Sequence, residues 1–207
     1  MKITKLFSLF ILLGLFSSCA GSYHKIYPTA QNFNSSSNVG NVKLEYKYKV
    51  LTSKKYKKKE DKFNTQLVAV KITNNSNHDV ILGDNYLLTY QSGTKVLINS
   101  KEVTFKSLRQ TVPTYLLYLL LAPLQLNTTS STGQTSSFPI GLIIGPGIAA
   151  GNMIGAGSAN QNFKTELDQY DILNKPIHPG ESKVGLISIQ SSSTDALLLR
   201  HLEPLAQ

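Results

Sequence analysis

From Val42 to Val50 apolar and polar residues alternate without a fault, with Val42, Leu44, Tyr46, Tyr48 and Val50 on one face and Lys43, Glu45, Lys47 and Lys49 on the other. A period of two is the pattern of a strand with one face in a core. Short runs of the same kind recur at 66–73, 80–82, 86–91, 95–99 and 103–105, then at 184–190 and 196–202, the last of which a helix would also accommodate. Turn chemistry separates them: Asn74-Asn75-Ser76-Asn77, Gly83-Asp84-Asn85, Ser92-Gly93 and Pro179-Gly180. These residues tolerate left-handed backbone or bond their own main chain. Strands of this length and spacing predict a mainly β fold, an antiparallel sandwich. Between 162 and 173 the period changes: Phe163, Leu167, Tyr170 and Leu173 share one helical face, with Glu166, Asp168 and Asp171 elsewhere. One short amphipathic helix is expected there, stopped by Asn174-Lys175-Pro176.

A second kind of pattern occupies 110–163, where no Asp, Glu, Lys or Arg occurs. Two apolar stretches, Val112 to Leu126 and Phe138 to Ala159, flank a neutral polar run from Asn127 to Ser137. Within the first, Tyr115 to Leu121 reads as a dense apolar helix between Pro113 and Pro123. In the second, Gly141 and Gly145 are four apart, as are Gly147, Gly151 and Gly155. On a helix each set falls on one face and lets another backbone approach. The expectation is an inserted, glycine-rich helical hairpin, and three readings of it stay open. It inserts in a membrane with the polar run as its tip, packs on its own sandwich, or forms an oligomer or partner surface. Against insertion, the first stretch falls short of the roughly 20 apolar residues a span needs, and Pro139 and Pro146 would interrupt the second.

The N-terminus is a third pattern. Lys2 and Lys5 precede an uncharged Leu6 to Phe16, which gives way to the small residues Ser17-Ser18 and then Cys19-Ala20-Gly21. A basic start, a short apolar core and a small-residue exit describe a secretory signal. The chain's one cysteine excludes a disulfide framework and a multi-cysteine metal site. Its setting, Phe16-Ser17-Ser18-Cys19, resembles the lipobox of bacterial lipoproteins, in the Phe/Ser-rich form of Bacteroidota, with Phe16 where leucine is commonest. The resemblance implies cleavage before Cys19, a diacylglyceryl group on its thiol and acylation of the new amine. Two or three acyl chains hold a protein on a membrane where one lets go, at about 0.8 kcal/mol per buried methylene. Ala20, where an aspartate would signal inner-membrane retention, implies the outer membrane. The absence of a following acidic cluster implies its periplasmic face.

Two weaker resemblances concern the rest. Ile72-Thr73-Asn74-Asn75-Ser76-Asn77, with the later Ile177-His178-Pro179-Gly180-Glu181-Ser182 and Gly185-Leu186-Ile187-Ser188-Ile189, resembles immunoglobulin-like sandwich domains of Bacteroidota lipoproteins with no assigned role. That implies an architecture without an activity. The glycine spacing resembles the glycine-zipper segments of some outer-membrane lipoproteins. The expected organisation is a signal peptide over 1–18, a lipidated tether rich in Ser, Asn, Gly and Thr over 19–41, and the first part of the sandwich over 42–109. The charge-free hairpin follows over 110–163, then the helix and closing strands over 164–207.

Composition changes the picture only through charge. With 41% apolar and 16% charged residues the chain folds, and its formal net charge is +9. Lys2 and Lys5 leave with the signal, and the ten lysines between Lys43 and Lys71, set against Glu45, Glu60 and Asp61, carry the remaining +7. The centre is Lys54, Lys55, Lys57, Lys58, Lys59 and Lys62, expected in a loop between two strands. It is either a solvated loop that keeps an edge strand unpaired or a contact for an anionic surface, lipid or lipopolysaccharide phosphate, at roughly 1 kcal/mol per lysine. Nucleic acid is not expected, since no recognition helix, RNA-binding strand motif or zinc finger occurs.

Nor is catalysis or a cofactor. No nucleophile elbow, His-Glu-x-x-His or dinucleotide motif occurs, and Gly145-Pro146-Gly147 lacks the Lys-Ser/Thr of a phosphate loop. His78 and His178 sit in turns, and no metal site is expected. The sequence therefore points to a non-catalytic, lipid-anchored envelope protein, an assembly or accessory component at the outer membrane. An envelope protein or a second copy of the chain stands as its protein partner. The alternative is a membrane-active or pore-associated protein that inserts its glycine-rich hairpin.

Overall fold

In the computed structural model residues 20–202 are described, so the signal segment and the lipidation expected at Cys19 lie outside the described residues. The rest divides into a sheet unit, Tyr23–Arg109 with 161–202, and a second unit, Gln110–Asn160 with 20–22.

In the sheet unit, β1 (Ser35–Val39), β2 (Val42–Lys47) and β3 (Gln66–Asn74) precede β4 (Val80–Ile81), β5 (Tyr86–Tyr90) and β6 (Ile98–Asn99). The two β strands of the second unit, β7 (Leu126–Thr129) and β8 (Thr135–Phe138), come next. The sheet unit then closes with β9 (Pro176–Ile177), β10 (Ser182–Ile189) and β11 (Leu197–His201). The main sheet runs β1-β2-β3-β10-β6, while β11 pairs with β5 and β4 with β9. All these pairs are antiparallel, with Leu44 opposite Ile72, Tyr46 opposite Val70, and Val70 opposite Gly185. The alternation read in β2 is present: Val42, Leu44 and Tyr46 are buried, and Lys43, Glu45 and Lys47 are not.

One face of the sheet, with Leu44, Val68, Val70 and Ile72, meets Val80, Leu82, Leu88, Leu197 and Leu199 of the small strands in a single core. Leu67 and Ala69, on the opposite face of β3, are equally buried. Burial on both faces is why β3 reads as a continuous apolar run rather than an alternating one. Helices lie on that far side, where Leu67 and Leu186 share a small gap with Thr104 and Leu167.

The architecture is a mixture of strands and helices, and this corrects the mainly β expectation. Residues 54–62 are not a loop but part of α1 (Lys54–Phe63), closed by Asn64 in left-handed backbone at φ 48°. Lysine and glutamate are good helix formers, and Tyr56 and Glu60, one turn apart, give the helix a buried side. Residues 103–105 are not a strand but the middle of α2 (Lys101–Leu108), because the Ser100 hydroxyl accepts the Val103 N–H and caps it. The short helix expected at 162–173 is the end of α3 (Gly141–Gln169), which runs through Pro146. That proline costs one hydrogen bond, to the carbonyl of Leu142 in the first turn of the helix.

Residues 20–41, expected as a tether, carry a 3-10 turn at Pro28–Ala30 and β1, with Tyr23, Ile26 and Pro28 buried. In the second unit, the apolar α-helix expected at 115–121 is a 3-10 helix over Val112–Leu121. A period of three aligns Tyr115, Tyr118 and Leu121, and these three pack with Ala149 and Ala156. The polar tip is a β-hairpin of β7 and β8.

Candidate lipid-facing site

The inner side of α3 in the second unit is built from small and amide residues at helical spacing: Gly141, Gly145, Ala149, Asn152, Ala156 and Asn160. The two leading glycines are there because the 3-10 helix lies on their backbone. A Cβ on Gly141 would stand 2.0 Å from the Leu121 carbonyl oxygen, and one on Gly145 2.8 Å from that of Tyr118. Among the described residues, a Cβ on Gly147 or Gly151 would meet nothing within 4 Å and one on Gly155 would meet Ala20 at 3.5 Å, so the close backbone approach at Gly141 and Gly145 is not repeated along the second set of glycines.

The amides further along α3 hold residues next to Cys19. Asn152 Oδ1 accepts the Ala20 N–H. Gln110 accepts the Gly21 N–H through Oε1 at 3.0 Å and returns a bond to the Gly21 carbonyl through Nε2. Gln110 is itself fixed by Asn160, whose Oδ1 takes its N–H at 2.7 Å and whose Nδ2 donates to its carbonyl at 2.9 Å. Every polar group in this ladder is neutral, and each is paired inside the unit.

The outer side is apolar. Leu117, Leu120, Leu142, Ile143 and Ile154 are 61–76% exposed, and Leu116, Leu124, Leu126 and Phe138 are also exposed. Leu126 and Phe138 face each other across the hairpin, whose other paired positions are Asn127 and five serines and threonines, all exposed. The exposed leucines and isoleucines gather in a segment without a single charge. By length and composition α3 could also cross a membrane.

In the sheet unit, Glu166 organises the segment that follows. Its carboxylate is 5% exposed and accepts the Tyr23 hydroxyl, the Ile26 N–H at 3.0 Å and the Tyr27 N–H at 3.0 Å. Burial first, then the Glu166 hydrogen bond and charge, push the Tyr23 hydroxyl well above the usual phenol range. Tyr23 packs with Tyr56 and Phe163 at ring separations of 5.2 and 5.3 Å. Sequence reasoning placed Glu166 on a wet helix face. Its spacing of three from Phe163 marked the buried side.

The six lysines are distributed round α1. Lys54, Lys57, Lys58 and Lys62 are exposed, Lys55 and Lys59 half-buried. Lys59 and Lys62 sit over the Phe63 ring at 5.3 and 5.5 Å. Burial, then Lys62 and Arg109, lower the Lys59 pKa. On the buried side Glu60 accepts the Leu67 N–H at 2.8 Å and is pushed up to about 7, by burial above all. His78 bonds the Tyr86 hydroxyl at 3.1 Å and His178 bonds Asp79 at 2.9 Å. Among the described residues no group of three or more His, Cys, Asp or Glu is placed to hold a metal ion. No family model, no curated protein and no solved structure matches the chain.

Proposed function

We propose that this is a lipid-anchored, non-catalytic protein of the bacterial envelope, on the periplasmic face of the outer membrane, whose charge-free unit lies in the lipid interface. One observation carries the reading. Ala20, the residue after the cysteine of the lipobox-like sequence, is hydrogen-bonded to Asn152 of the unit whose outer side is exposed leucine and isoleucine. Acyl chains on Cys19 would start one residue from a backbone bond to that unit, and consecutive Cα atoms are only about 3.8 Å apart. Burial of apolar area in the interface would add to the anchor's hold. The sheet unit, which we read as an immunoglobulin-like sandwich, then serves as the part that meets envelope components, and α1 presents its lysines to anionic headgroups or lipopolysaccharide phosphate.

The chain has no tryptophan, so a single introduced one reports cleanly. In lipid vesicles, Leu120→Trp and Ile143→Trp are expected to be quenched by lipids brominated in the upper acyl chain, while Val103→Trp, on α2, is not. Absence of quenching at 120 and 143 would overturn the interfacial placement. Quenching by bromines at the bilayer centre would instead favour an inserted helix. Cys19→Ser is expected to abolish palmitate labelling, and labelling that survives would sink the lipoprotein reading.

A further inference from the structure

An open cleft of about 560 Å³ lies wholly within the sheet unit, where β1 turns into β2, β3 ends, β5 begins and β11 ends. Its volume falls in the range of small-ligand sites, about 300–1,000 Å³. Val39, Asn41, Asn75, His78, Tyr86 and His201 stand in its wall, and of these Asn41, Asn75, His78 and His201 are exposed. The wall is fixed from behind. Fully buried Asn74 accepts the Ser76 N–H at 2.9 Å through Oδ1 and donates to the His78 carbonyl at 2.8 Å through Nδ2. The Asn75 N–H donates to the Asn41 carbonyl at 2.9 Å and ties this loop to the β1–β2 turn. His78 is held at both ring nitrogens, by Asn77 Oδ1 at 3.3 Å and by the Tyr86 hydroxyl at 3.1 Å. Tyr86 and His201 are partners across β5 and β11, and the three rings gather within 4.9–6.2 Å of one another. Loops held on a rigid sheet in this way are where binding residues collect.

What the fold leaves unspent here is polar and carries no fixed charge. Among the described residues the side-chain amides of Asn41 and Asn75 and the ring nitrogens of His201 have no hydrogen-bond partner, and no Asp, Glu, Lys or Arg lines the cleft. In a chain of net charge +9 an anion finds no lysine or arginine at this place, and a cation finds no carboxylate. A metal ion would have to displace Asn77 or Tyr86 from His78. A peptide reads a sheet through main-chain groups, and the Asn75 and Ser76 N–H groups and the His78 carbonyl are already paired. A side-chain amide sets donors beside an acceptor, the combination that answers a pair of hydroxyls or an acetamido group. We propose that this cleft binds a neutral saccharide unit bearing an acetamido group, its polar groups bonded to Asn41 and Asn75, its C–H face on the His201 ring and its acetyl methyl against Val39. Such units occur in the glycan strands of the cell wall and in the sugar chains of lipopolysaccharide.

The test is calorimetric titration of the full mature chain in a detergent without a sugar headgroup, and it does not depend on whether the charge-free unit touches lipid. N,N′-diacetylchitobiose is expected to bind about tenfold more tightly than cellobiose, which keeps the linkage and replaces each acetamido group by a hydroxyl. Asn75→Ala and His201→Ala, checked for native circular dichroism, should each weaken it about fivefold, and Asn127→Ala, an equally exposed amide on β7, should not. Sedimentation with insoluble cell-wall glycan that diacetylchitobiose reverses identifies the wall as a source, and failure to sediment while the disaccharide binds leaves the lipopolysaccharide sugars. No binding of diacetylchitobiose, equal affinity for cellobiose or for an uncharged acetylated alanine tripeptide, or an unaffected Asn75→Ala or His201→Ala variant would each overturn the proposal.

Discussion

Glu60 and Glu166 are both buried carboxyl groups, but they are held in different ways. Glu166 receives three donors and anchors the segment 23–27. Its replacement by alanine takes the acceptor from the buried Ile26 N–H, the part-buried Tyr27 N–H and the Tyr23 hydroxyl, and is expected to cost about 2–4 kcal/mol in urea unfolding. Glu166→Gln should recover part of that, since an amide oxygen still accepts.

Glu60 has one backbone donor and a pKa raised from 4.5 to about 7, by burial first and then Asp61, against Leu67 and Lys57. Its protonated form is the one the fold prefers. Stability from this group is therefore complete below pH 4.5 and is lost as pH rises to 7, by about 1–3 kcal/mol. Urea midpoints at pH 5 and pH 8 check the sign, and Glu60→Gln should flatten the difference. Neither role was legible from charge alone, because an acidic residue on an amphipathic helix is usually wet. Glu166 lies three residues from Phe163 and Glu60 four from Tyr56, and that helical spacing from a buried aromatic ring separates a carboxylate that faces backbone amides from one that faces water.

Single elements show where a glycine is needed. A Cβ on Gly185 of β10 would stand 2.4 Å from Ile172 Cγ2 and 2.8 Å from the Tyr170 carbonyl oxygen. Gly185→Ala is expected to destabilise the sheet unit by about 1–3 kcal/mol. Among the described residues a Cβ on Gly147 of α3 would meet nothing within 4 Å, so Gly147→Ala should be neutral or stabilising, by up to about 1 kcal/mol. Thermal midpoints of the two variants should move in opposite directions.

The strands were the readable part of the sequence. The β2 alternation and the β3 run state their own burial, because a strand's period is short enough to show in six residues. The helices were harder. α1 hides its buried side in two residues among lysines, α2 depends on a serine cap, and the 3-10 helix over 112–121 has an apolar composition that suits either helical period. The continuation of α3 through Pro146 was also illegible, since a proline within an apolar run usually ends or kinks a helix.

At the scale of the whole molecule, charge is separated by unit. The residues from 110 to 160 have none, while the segment 43–71 carries ten lysines against three carboxylates. Surface attraction is screened over about 10 Å at 0.1 M salt, whereas apolar burial is not. Membrane association of the unlipidated chain should accordingly retain a salt-resistant part. Substituting lysine for Leu120 and Ile143 is expected to remove that part in vesicle co-sedimentation, and Lys→Gln across 54–62 only the salt-sensitive part.

The hydrogen bond between Ala20 and Asn152 bears on reach. A free chain of twenty-odd residues would let a domain range about 25 Å from its anchor. On the proposed acylation of Cys19, the slack between anchor and folded backbone would be a single peptide. Such a protein would hunt for partners in two dimensions: its second unit would diffuse within the plane of the leaflet, and whatever meets it would have to come down to the lipid.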